Sequence, residues 1–117
     1  MIGKPRTAPL LLTLFLGCGD PPRNCPNIAV DGGPCPSYQN DVVPIIMSKC
    51  YECHGPGGIE QSTHDFTKYS VVFEQKGRIF NQLYACLMPP TNAQNGDLSM
   101  TEKQTFLFWI ACGAPQN

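Results

Sequence analysis

Seven cysteines in a chain of 117 residues constrain this protein more than any other feature. The length suits one compact domain, since domains commonly run ~100–150 residues. A core of that size is modest, and covalent staples are a usual remedy in exported domains. The cysteines stand at positions 18, 25, 35, 50, 53, 86 and 112, separated by turn residues and by many of the twelve prolines. Such usage predicts an oxidising compartment.

The amino-terminal residues predict how the chain reaches it. Lys4 and Arg6 make a short positive start, Ala8 to Leu16 form an apolar run, and Gly17 and Cys18 follow. This is the pattern of a secretory signal over residues 1–17. The run is far shorter than the ~20 apolar residues of a membrane-spanning helix, and no later stretch is longer. Without that leader six Lys and Arg face nine Asp and Glu, a balance of −3. No basic surface is left to attract nucleic acid.

Leu14-Phe15-Leu16-Gly17-Cys18 resembles the lipobox of bacterial lipoproteins, which implies lipid on Cys18 and a membrane anchor. Phe15 and Leu16 depart from the leucine and small residue usual at those two places. An ordinary signal-peptidase cut after Gly19, with Gly17 and Gly19 as the small residues, is the competing reading. Residues 18–40, rich in Pro, Gly and Asn, read as a flexible tether. Gly19 after the cysteine resembles lipoproteins sent to the outer membrane.

From Asp41 the pattern changes to a domain over residues 41–117. Val42, Val43, Ile45, Ile46 and Met47 predict a short helix that tolerates Pro44 in its early turn. A glycine-rich loop, Gly55 to Gly58, and a polar stretch to Asp65 follow. Thr67 is a candidate cap for a helix carrying Tyr69, Val72, Phe73 and Lys76, with a break at Gly77. Ile79, Phe80, Leu83 and Tyr84 share one face of a next helix, which must end before Pro89 and Pro90. Ser99 with Glu102 forms a capping-box pattern, predicting a helix from Met100 to Cys112 that stops at Gly113. Its apolar run from Phe106 to Cys112 calls for cover on more than one side.

The residues that carry chemistry are Cys50-Tyr51-Glu52-Cys53-His54. Cys-x-x-Cys-His is the attachment pattern of haem c. Positions three and four apart share one side of a helical turn, so two thiols reach the two vinyl groups of one porphyrin edge while the imidazole reaches the iron. A thioredoxin-like redox pair would call for a strand in a βαβ setting, and a zinc site for further paired ligands. Neither context is present in the sequence.

Asp41 to Pro115 resembles a small monohaem c-type cytochrome domain of bacterial exported proteins. The matching pieces are Val43-Pro44-Ile45, Cys50 to Gly55, Met88-Pro89-Pro90, and Leu98-Ser99 leading to Trp109-Ile110-Ala111-Cys112-Gly113. The resemblance implies an all-α bundle of three to five helices around one covalent haem, with Met88 as the sixth iron ligand. A thioether favours ferrous iron and raises the potential. The plain alternative for Met88 is a core filler. Met47 and Met100 are rival methionines, one close before the attachment site and one in the first turn of a helix. His64 is a rival histidine that reads as a solvated loop residue. Trp109, Phe106 and Phe73 read as haem-crevice or core packing, and Lys76 and Arg78 as a solvated helix face rather than propionate partners.

Four cysteines remain, Cys25, Cys35, Cys86 and Cys112, and four permit three pairings. The economical pairing joins Cys25 to Cys35 and Cys86 to Cys112, which ties the loop bearing Met88 to the last helix. The expectation is therefore a periplasmic or lipid-anchored single-electron carrier, not an enzyme in itself, that exchanges electrons with partner proteins. Two other classes stay open: a haem enzyme or sensor with a labile methionine, and a haem-free disulfide-built interaction lipoprotein.

Overall fold

The computed structural model of the chain describes Cys25, residues 28–30 and residues 33–117. The expected leader and Cys18 lie outside the described residues. Within them the protein is all-helical, with no strand, and no helix is long and apolar enough to cross a membrane.

The first helical stretch is continuous but not uniform. It runs through a π-helical Tyr38–Val42, α1 (Val43–Ile45), a second π-helical Ile46–Cys50 and α2 (Tyr51–His54). Pro44 has no N–H to give to a carbonyl one turn back. Wide turns carry the ladder past it, with the Val43 N–H bonding the Tyr38 carbonyl and the Tyr51 N–H bonding the Ile46 carbonyl. The stretch is well capped. Ser37 Oγ accepts the Asn40 N–H at 3.1 Å, and the Tyr38 and Gln39 N–H groups donate to Asn117 at 3.0 and 2.8 Å. The orphan donors of the first turn are thereby satisfied, and the final residue is fastened against the helix start.

α3 (Tyr69–Glu74) and α4 (Lys76–Tyr84) follow. The expected cap and break both shift slightly. Lys68 stands at the N-cap without a side-chain bond, because Thr67 instead gives its N–H and hydroxyl to the Asp65 carboxylate at 3.0 and 2.6 Å. Those bonds hold the Asp65 carboxyl below its usual range. The break falls at Gln75 rather than Gly77. There Lys76 closes the end of α3, donating to the Phe73 carbonyl at 3.3 Å with its ammonium 3.7 Å from the Phe73 ring centroid. A cation at a helix C-terminus satisfies orphan carbonyls and the dipole together.

α5 (Met100–Ala111) has the capping box as expected: Ser99 Oγ accepts the Glu102 N–H and Glu102 Oε1 accepts the Ser99 N–H. Gly113 ends it with φ +96°, a left-handed geometry that glycine adopts without steric cost. α5 is covered by α4 on one side and by the first helical stretch on another. Phe106, Leu107 and Trp109 are buried between them, in a core shared with Val42, Ile46, Val72 and Leu83. The buried Trp109 gives its indole N–H to the Pro115 carbonyl at 2.9 Å.

The four remaining cysteines form two disulfides, but not the economical pair. Cys25 bridges Cys86 and Cys35 bridges Cys112, with Cα atoms 5.8 and 6.1 Å apart. The reason is packing. Ile28 and Tyr38 are buried in the core, so the described parts of the segment expected as a tether pack on the domain, and its cysteines Cys25 and Cys35 meet the ends of α4 and α5. Cys86 is accordingly tied to the amino-terminal segment, and Cys112 to Cys35. Two disulfides are the mark of a chain that folds in an oxidising, exported setting.

Candidate functional site

The wide turn that ends on Cys50 delivers the pentapeptide Cys50 to His54 to one cavity of about 520 Å³. Cys50, Cys53, His54 and Met88 all line it. Neither Cys50 nor Cys53 is part of a disulfide. Of the described methionines only Met88 lines this space, and it is 43% exposed, much as Met100 is at 44%; Met47 and Met100 do not line the cavity. Most of the wall is apolar, from Ile59, Phe66, Ile79, Leu83, Pro89, Pro90 and Phe106, while Lys49 and Arg78 bring positive charge.

The close of the pentapeptide is set by backbone. The Gly55 N–H bonds the Tyr51 carbonyl, the Glu60 N–H bonds the Cys53 carbonyl at 2.7 Å, and the Phe66 N–H bonds the His54 carbonyl at 2.9 Å. The glycine-rich loop passes so near that a Cβ on Gly58 would collide with the Cys53 carbonyl. Glycine is needed at that position for space, not for an unusual dihedral.

His54 is oriented on two sides. Its Nδ1–H donates to the His64 carbonyl at 3.0 Å, and its ring stacks on Phe66 with centroids 4.2 Å apart and planes 8° from parallel. A carbonyl only accepts, so this bond puts the proton on Nδ1 and leaves the lone pair of Nε2 for a metal. His64 lines the same cavity, but both of its ring nitrogens are engaged. Arg78 Nη1 donates to its Nε2 at 3.3 Å, and its Nδ1 faces Glu60 Oε1 at 3.4 Å. The expected loop histidine thus supports His54 through its main chain, and Arg78 lies at the cavity rather than on a purely solvated face. Lys76 does not line it.

These residues suit a haem c. They supply two thiols, an imidazole with its proton on the far nitrogen, a neutral sulfur and an apolar cradle within the ~300–1,000 Å³ range of small-molecule sites. No three His, Cys, Asp or Glu side chains gather as a metal site among the described residues; haem iron draws its in-plane ligands from the porphyrin and needs only one or two from the chain.

Sequence reasoning missed Phe66, which lies just after the polar stretch ending at Asp65, and Glu52, which carried no pattern of its own. Glu52 accepts backbone N–H groups from Gln94 and Asn95.

Burial, followed by repulsion from the nearby Cys53, pushes the Cys50 thiol up to about 12. The thiolate is the reactive form. In the folded chain with Cys50 free, its thiol should therefore alkylate much more slowly at pH 8 than a thiol of ordinary acidity. Its rate should keep climbing to about pH 12. Alkylation followed peptide by peptide in a mass spectrometer reads this out, and a plateau near pH 9 contradicts it.

The chain showed no significant match to any known protein family, curated protein or solved structure.

Proposed function

We propose that this protein is an exported single-electron carrier that holds one haem c covalently through Cys50 and Cys53, with His54 and Met88 as axial ligands. The observation that carries the reading is the convergence of two unbridged thiols, an Nδ1-protonated imidazole and, among the described residues, the only cavity-lining methionine on one largely apolar cavity. Bound there, the haem supplies a ferric–ferrous couple that accepts and gives up one electron.

The chain's residues do the rest. His54 is held by the His64 carbonyl and the Phe66 ring, so its Nε2 is presented in one orientation. Ile79, Leu83 and Phe106 exclude water from the interior wall, which disfavours charge build-up and with it the ferric state. Met88 lines the same cavity and would offer its thioether to the iron of a bound haem, which would leave no open position for substrate and favour electron transfer over turnover. Lipid on Cys18 would moor the domain to a membrane facing the periplasm, the outer membrane by its Gly19, and its partners would be redox proteins.

The Met88→Ala protein tests this reading. It should retain covalent haem, lose the iron–thioether absorption band of the ferric state, and fall in midpoint potential by on the order of 0.1 V, within the roughly 0.8 V that axial ligation spans. Rapid peroxide turnover by the unaltered protein, with no such band, would instead assign it to haem catalysis.

A further inference from the structure

Glu52 stands between the two cysteines of the attachment pentapeptide, at a place where thioether formation asks nothing of the side chain. Both of its carboxylate oxygens are nevertheless engaged at a distance in sequence. Oε2 accepts the Gln94 N–H at 2.9 Å and Oε1 accepts the Asn95 N–H at 3.1 Å. Three residues earlier, Lys49 Nζ donates to the Asn95 carbonyl at 2.9 Å. One short stretch of helix thus grips both main-chain polar groups of a single loop residue, Asn95.

That loop is the one that bears Met88. Consecutive turns join it, with the Ala93 N–H on the Pro90 carbonyl at 3.0 Å and the Gly96 N–H on the Ala93 carbonyl at 3.2 Å. The Met88 N–H itself bonds the Gln82 carbonyl at 3.3 Å at the end of α4, so holding residues 94 and 95 restrains the other arm of the loop, from Pro90 onward. The loop is pinned at its start by the Cys25–Cys86 disulfide and at its end by Lys103, which reaches Asp97 at 3.5 Å and Cys86 Sγ at 3.3 Å. Between those pins, the hold on residues 94 and 95 comes from the helix that carries His54.

We infer that Glu52 is a positioning residue for Met88, holding the methionine loop to the turn that bears His54 so that the two axial donors keep their separation. The inference rests on the haem reading proposed above. A hydrogen bond to an ionised carboxylate is stronger than a neutral one, and two of them on adjacent amides resist rotation of the loop as well as its displacement.

The test compares the intact haem-bearing protein with its E52A and E52Q variants, by amide exchange and by the ferric absorption spectrum. In E52A the Gln94 and Asn95 amides should exchange at least about tenfold faster, amides within α5 should be unchanged, and the iron–thioether band should weaken while covalent haem is retained. E52Q keeps one acceptor and should fall between. An E52A protein with unchanged loop exchange and an unchanged band overturns the role of Glu52 alone, as does equal acceleration in α5, which would mean general loosening. Absence of haem from the unaltered protein overturns the haem reading, and the role of Glu52 toward Met88 with it.

Discussion

A His54→Ala protein is expected to carry at least tenfold less covalent haem per polypeptide than the unaltered protein, while His64→Ala is expected to carry a full complement. The difference follows from which atoms each histidine offers. His54 has its Nδ1 proton committed to the His64 carbonyl and its ring stacked on Phe66, leaving Nε2 as the available donor. His64 has Nε2 against Arg78 and Nδ1 against Glu60, and serves His54 by a main-chain carbonyl that alanine also possesses. Absorbance per mole of peptide measures both variants. A full haem load in His54→Ala with an unaltered spectrum would show that another group holds the iron, and the axial assignment would fail.

Replacing Cys35 and Cys112 together by serine is expected to cost about 4 kcal/mol of stability, because the bridge spans 77 residues and the entropy of the unfolded chain rises with the loop released. For a domain of this size that corresponds to a fall in Tm of roughly 15 °C or more. The Cys25–Cys86 bridge spans 61 residues, and the logarithmic dependence on loop length makes its loss almost as costly. The spectra should separate the two. Cys86 is two residues from Met88, so loss of Cys25–Cys86 should weaken the iron–thioether band, and loss of Cys35–Cys112 should leave it intact. Thermal unfolding and ferric absorbance of the two double variants check this, and equal spectral loss in both would contradict it.

Legibility in the sequence followed the range of the interactions. The last helix was readable because its start is written in Ser99 and Glu102, three residues apart, and its stop in Gly113. The approach to Pro89 and Pro90 was readable for the same reason, since a proline constrains its immediate neighbour. The break between α3 and α4 was displaced by two residues because glycine is only one way to interrupt a helix. Here Lys76 closes α3 through the Phe73 carbonyl and ring, and Gly77 stays helical.

Long-range pairings were not readable. The cysteine partners depend on the path of the amino-terminal segment, and a stretch rich in proline and glycine gives no sign that Ile28 will be buried in the core. The pentapeptide located the candidate site at once, whereas its supports came from far along the chain. Phe66 is twelve residues from His54 and the loop at Gln94 and Asn95 more than forty from Glu52. No periodic pattern links such residues, because contacts across a cavity are set by how the helices pack.

The most direct measurement is the intact mass and absorption spectrum of the mature protein purified from an exporting host that matures c-type cytochromes. The account predicts a coloured protein, heavier than its polypeptide by one haem in addition to any lipid on Cys18, with two disulfides and, after unfolding, no thiol at Cys50 or Cys53 open to an alkylating reagent. A colourless protein lacking the mass of a haem, with both of those thiols reactive once it is unfolded, would contradict it.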